Sequence, residues 1–215
     1  MKKLQLIFVM IIIMTAAVLA QPAKIKITSN LHPKYIIEEI WKKPYILYFN
    51  VGKFYYNAQD WNKAEWMFKK AIEHNPDFVP AYHNLGTVYY EKGNYEQAAI
   101  QFKKATEIDP EYLKAYYSAG ILHFKNGNFD KAIDNFLTVV RLEPNNPNYI
   151  FDLAQGYVAR FRKDEITDQE NYDDLEKALT HFSQVEKLAP GFPHALTNIN
   201  IIKPIIDTRK ILLTD

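Results

Sequence analysis

The chain has 215 residues, with 26 basic and 25 acidic side chains and a formal net charge of +1. That balance offers no basic face for nucleic acid, and the absence of Cys excludes disulfides and a thiol nucleophile. With 48% hydrophobic residues the chain suits one soluble helical domain held by apolar packing.

Met1-Lys2-Lys3 precedes an apolar run from Leu4 to Ala20 that only Gln5 and Thr15 interrupt. Val18-Leu19-Ala20 places small residues where a signal peptidase cuts, before Gln21, so residues 1–20 read as a secretory signal. The alternative is an uncleaved membrane anchor, at the short end of what spans a bilayer. No Cys stands near the site for a lipoprotein anchor. Either way the remainder is expected outside the cytoplasm: periplasmic, extracellular or attached to the cell envelope. The membrane is a partner only through this segment.

Residues 21–44 form a linker and a capping helix. The helix is expected from about Pro33 to Lys42, with Ile36, Ile37, Ile40 and Trp41 on one apolar face.

From residue 45 the chain repeats. Gly52, Ala64, Phe68, Ala71 and Pro76 recur as Gly86, Ala98, Phe102, Ala105 and Pro110, then as Gly120, Ala132, Phe136, Val139 and Pro144, with a period of 34 residues. Apolar positions before and after each joint keep helical spacing, so each unit is a helical hairpin. The joints are Asn57-Ala58-Gln59-Asp60, Glu91-Lys92-Gly93-Asn94 and Lys125-Asn126-Gly127-Asn128, where Gly suits a positive φ at a helix end. Gly86 and Ala98 are expected to mark the closest approach of the second hairpin's helices. Prolines end each second helix. A hairpin this short cannot bury its apolar face alone, so the fold must be a stacked array.

A fourth unit is interrupted. Ile150, Leu153, Ala154 and Tyr157 fit a first helix; Ala178, Phe182, Val185 and Pro190 fit a second, with about twelve extra residues between Tyr157 and Ala178. The insertion, near 160–171, is read as a solvated polar loop. Asn171 would cap the next helix, with Asp173 and Asp174 in its first turn. The array then spans 45–190, as 45–78, 79–112, 113–146 and 147–190. Residues 191–215 make a C-terminal cap and an apolar tail. In that cap Ile199, Ile202 and Ile206 can share one face, and Pro204 is expected to break or kink the helix.

These residues resemble the tetratricopeptide repeat family, most closely in Tyr82, Leu85, Gly86, Tyr89, Ala98, Phe102, Ala105 and Pro110. The resemblance implies an all-α, right-handed superhelix of about four hairpins, a protein-binding scaffold in which the first helices line a concave groove for a peptide or helix. Carried onto this chain, the groove positions include Phe49, Lys53, Tyr56, His83, Tyr90, Lys114, Tyr117, Phe124 and Phe151. Aromatics offer large contact area at small entropy cost, as binding hot spots require. The competing reading is that the chain's own terminal segment fills part of the groove. A family variant that clamps a C-terminal carboxylate is not expected: Asn84 and Lys114 match it, but Phe49, Lys53 and Ser118 do not.

Catalysis finds no footing. The six His are scattered without ligand spacing, and no phosphate loop or nucleophile elbow is present. No enzyme, cofactor or metal site is expected. The expected function is that of an exported interaction scaffold or adaptor whose partner is a protein or peptide. The alternative is a subunit that self-associates head to tail, joining Ile36, Ile40 and Trp41 to Ile201, Ile205, Ile206 and Leu212 of another copy.

Overall fold

The computed structural model describes residues 43–163 and 169–212. The N-terminal apolar run, the expected helix from Pro33 to Lys42 and Leu213 lie outside the described residues. Among those described, there are nine α-helices and no strand, the all-α class that the spacing predicts. The chain divides between Ile108 and Asp109 into two units.

The first unit contains α1 (Pro44–Asn57), α2 (Trp61–His74), α3 (Val79–Glu91) and α4 (Tyr95–Ile108). The helices pair as hairpins, α1 with α2 and α3 with α4, and α3 packs on α2. Ala64, Phe68 and Ala71 on α2, and Ala98, Phe102 and Ala105 on α4, are buried. Spacings of three and four put each trio on one helix face, which is why α2 and α4 are amphipathic.

The close approach in each hairpin involves a phenyl ring. A Cβ built on Gly86 would lie 2.6 Å from Cε1 of Phe102, and one on Gly52 would lie 2.7 Å from Cε1 of Phe68. The expected Gly86–Ala98 approach left out Phe102, whose ring atoms are those nearest a side chain at Gly86. Glycine leaves the space that the ring fills.

The hairpin turns require a left-handed residue. Gly93 (φ 76°) takes that conformation in the second hairpin, and Gln59 (φ 57°) takes it in the first. Gln59 is one period before Gly93, so a side chain is tolerated where the repeat otherwise favours glycine. Asp60 then caps α2, its side chain accepting from the Lys63 N–H at 3.2 Å. Helix α2 ends two residues before Pro76, and Asn75 between them is extended (φ −148°, ψ 95°), as a residue preceding proline prefers.

The second unit contains α5 (Leu113–Lys125), α6 (Phe129–Leu142), α7 (Pro147–Lys163), α8 (Gln169–Leu188) and α9 (Ala195–Leu212). Each helix packs on its chain neighbour. The core joins Phe136 and Ile133 of α6, Leu153 and Tyr157 of α7, Leu175 and Phe182 of α8, and Ile202 and Ile206 of α9. Gly120 faces Phe136 as Gly86 faces Phe102, at 2.5 Å from a built Cβ.

The insertion departs from the expected loop. Helix α7 runs 17 residues and α8 runs 20, against 13 for α5 and 14 for α6, so much of the extra sequence is helical. Asn171 lies inside α8 and is not its cap. Asp174 is not a solvated first-turn acid. It is 4% exposed and chelated by Arg160, whose Nε and Nη2 both donate to it at 2.6 Å. Nη1 of the same guanidinium donates to Asp130 of α6 at 2.7 Å. One arginine thus ties α6, α7 and α8 together.

Pro204 does not break the last helix, which continues through it from Ala195 to Leu212. A proline inside a helix removes one backbone donor; packing offsets that loss. Ile202 and Ile206 are buried, and Arg209 lies over the Tyr172 ring at 3.6 Å. Lys210 adds an ion pair to Glu176 at 3.0 Å. Ile206 therefore belongs to the unit's own core and is not available for self-association.

Candidate functional site: the first-helix faces

In the first unit, α1 and α3 carry Phe49, Lys53, Tyr56, His83 and Tyr90. Their rings are half-buried, not fully exposed as the groove expectation requires. Phe49 leans on Phe68 and Phe78, with ring centroids at 5.7 and 5.1 Å. His83 meets Phe102 at 5.8 Å, Tyr56 meets Trp61 at 5.2 Å and Tyr90 meets Tyr95 at 5.5 Å. Each ring makes an aromatic contact and stays partly accessible. Lys53 is exposed, its ammonium 5.8 Å from the Phe49 centroid. Burial, with the nearby negative charge of Glu91, pushes the Tyr56 hydroxyl above its ordinary pKa.

In the second unit, Lys114, Tyr117 and Phe124 lie on α5 and Phe151 on α7. Lys114 is exposed and the three rings are half-buried. Phe124 packs on Phe129 at 5.5 Å. Phe151 touches Phe182 at 5.3 Å and Phe192, in the turn after α8, at 5.2 Å. At this position a ring from a later segment of the chain packs on an expected groove residue.

Tyr117 does more than fill space. Its hydroxyl donates to Oδ2 of Asp152 at 2.8 Å, and its ring lies 5.0 Å from that of Tyr149. Burial raises the Asp152 carboxyl above the usual range, against the lowering effect of the Tyr117 hydrogen bond. Burial is also the main cause that holds the Tyr117 and Tyr149 hydroxyls protonated, with the Asp152 charge adding to both. Sequence reasoning passed over Asp152 and Tyr149. The signal was the period itself, since Asp152 stands 35 residues after Tyr117, one repeat plus one.

Two imidazoles of this unit are also set by burial. His123 and His181 each keep Nδ1 buried without a hydrogen-bond partner, and desolvation lowers both pKa values. His123 thus serves packing at the position where the repeat elsewhere places Tyr. Among the described residues no group of three or more His, Asp or Glu could hold a metal ion. No described helix is long and apolar enough to cross a membrane.

The self-association residues divide. Ile201 and Ile205 are 52% and 40% exposed on α9, beside Leu196 at 53% and Ile211 at 63%. Ile36, Ile40 and Trp41 lie outside the described residues, as does the Leu212 side chain.

Family profiles match in three places: a tetratricopeptide repeat at residues 67–100, a TPR repeat at 86–127 and a tetratricopeptide repeat at 113–146. No curated protein matches this chain in sequence. Among solved structures, the MamA protein is 21% identical with a TM-score of 0.65, the match covering 78% of this chain and 86% of that one. YrrB, described as a TPR protein with an unusual peptide-binding site, is 22% identical with a TM-score of 0.64, over 80% of this chain and 84% of its own. MamA from residue 41 to its end, from Desulfovibrio magneticus RS-1, is 18% identical with a TM-score of 0.63, over 78% and 88%. At these identities the likeness establishes the fold.

Proposed function

We propose, for a chain whose residues 67–146 are tetratricopeptide repeats, that it is an exported interaction scaffold of the cell envelope, binding a peptide or helix of a partner protein along its first helices. The observation that carries this reading is the series of half-buried rings, Phe49, Tyr56 and Tyr90 in one unit and Tyr117 and Phe124 in the other. A ring already held by packing loses little entropy on binding, so its accessible part gains contact area at small cost. YrrB, a relative in fold described by its peptide-binding site, supports the same use of the scaffold. Export is supported by Lys2-Lys3, the apolar run after them and the small residues before Gln21.

Site-directed photocross-linking tests the assignment with a probe that keeps an aromatic ring at the substituted position. Benzoylphenylalanine at Phe124 is expected to capture a partner from envelope extracts, whereas the same probe at the exposed Asp134 of α6 is not. Capture at Asp134 with none at Phe124 would move the binding face to the second helices.

Exposed Ile201 and Ile205 favour a second reading, self-association through α9. Converting both to Lys is expected to leave helicity unchanged, since neither belongs to the core, and to turn larger species into monomers in light scattering. A wild-type chain that is monomeric at high concentration removes this reading.

A further inference from the structure

We propose that the cluster of Tyr117, Tyr149 and Asp152 receives a cationic side chain, Lys or Arg, of a peptide lying along α5 and α7. This rests on the reading that the first helices bind peptides, and it specifies the ligand's charge.

Two of the carboxylates that leave water among the described residues are held by cations, whereas Glu186 accepts from the backbone N–H of Gly191 and keeps its other oxygen without a partner. Glu65 accepts from Lys69 and Lys92 at 2.6 Å each, and Asp174 accepts two bonds from Arg160. Asp152 is half-buried, yet among the described residues its one hydrogen bond comes from the neutral Tyr117 hydroxyl. A carboxylate offers about four acceptor sites, so most of its capacity is unused. A charge drawn from water without a counterion is costly, and an incoming cation removes that cost. Such a pair contributes more here than on open surface, where screening leaves it nearly neutral.

The surroundings select the sign of the ligand. Glu143 and Asp152 both act on the Tyr149 hydroxyl as negative charges. Glu143 also lines an open hollow of about 560 Å³ over the α6–α7 turn. The Tyr117 and Tyr149 rings, 5.0 Å apart, present aromatic faces, which attract ammonium and guanidinium groups. Lys114 is exposed one turn earlier on α5 and makes no ion pair with Asp152. An acidic ligand would meet two carboxylates, Glu143 and Asp152.

Fluorescence anisotropy with the full chain decides this. The probe is a short labelled peptide of Ala, Leu and Lys with blocked ends, compared with counterparts carrying Gln or Glu in place of Lys. The Lys peptide is expected to bind best and to lose about tenfold in affinity to Asp152→Asn, a change that keeps the acceptor for Tyr117. Circular dichroism checks that the variant folds. Glu143→Gln, at an exposed position, is a second variant that cannot disturb the core; it should weaken the Lys peptide and spare the Gln peptide. Equal binding of the Lys peptide to wild type and both variants overturns the proposal while leaving the groove reading intact. Equal or tighter binding of the Glu peptide overturns the charge assignment alone. If none of the three peptides binds, the proposal falls, and photocross-linking at Phe124 still decides the groove by itself.

Discussion

Gly86→Leu is expected to destabilise the first unit by about 3 kcal/mol, the upper part of the range for overpacking a filled core. Two effects oppose each other at this position. Replacing a mid-helix glycine improves helix propensity by about 1 kcal/mol. Against this, the very first added atom would lie 2.6 Å from a ring carbon of Phe102, roughly 1 Å inside the separation at which carbon atoms attract. Phe102 is itself 2% exposed, so its ring has nowhere to retreat. Overpacking wins because the clash involves a whole buried ring, not a flexible chain end. Urea unfolding measures the loss. The cause is separable: Phe102→Leu, which removes the ring edge, should make Gly86→Ala cheaper than it is in the wild type. Strict additivity of the two substitutions would show that the glycine serves some purpose other than seating the ring.

Arg160→Met should cost about 3 kcal/mol, at the low end of the range for breaking a buried ion pair. Asp174, 4% exposed, would lose both bonds of the guanidinium fork. Two features hold the cost at the low end. Lys177 remains 3.9 Å from Asp174 and compensates in part, and the Arg160 side chain is 27% exposed, so water can enter. Adding Asp174→Leu to Arg160→Met should recover most of the loss, because an apolar pair carries no desolvation penalty. Thermal melts of the two variants compare these outcomes. A single variant as stable as the wild type would mean that the ion pair does not hold α7 to α8.

The architecture was legible in sequence because it is written locally and repeatedly. Gly52, Gly86 and Gly120, the phenylalanines 16 residues after each, and the prolines that follow were all visible as a 34-residue period. Helical spacing depends on near neighbours only, so hairpin number, helix order and core faces came from the chain alone. The same locality explains why the Phe102 ring was missed at Gly86. Spacing places Ala98 and Phe102 on one face, but which of them reaches the glycine depends on side-chain length and direction across the hairpin.

Elsewhere tertiary structure decided. A run containing Arg162, Lys163, Asp164 and Glu165 is polar enough to read as a loop. Yet α7 and α8 lengthen, because Arg160 finds Asp174 fourteen residues ahead and Asp130 thirty behind, pairs no local pattern contains. Pro204 was expected to break or kink the last helix; the helix is not broken there, because burial of Ile202 and Ile206 against α7 and α8 outweighs one missing backbone bond. For the aromatics expected to line a groove, only packing showed them half-buried, with Phe151 against Phe192. The charged centre of the second unit was hidden for the same reason. Asp152 is an ordinary helix residue until folding places the Tyr117 hydroxyl on one of its oxygens, with no cation on the carboxylate among the described residues.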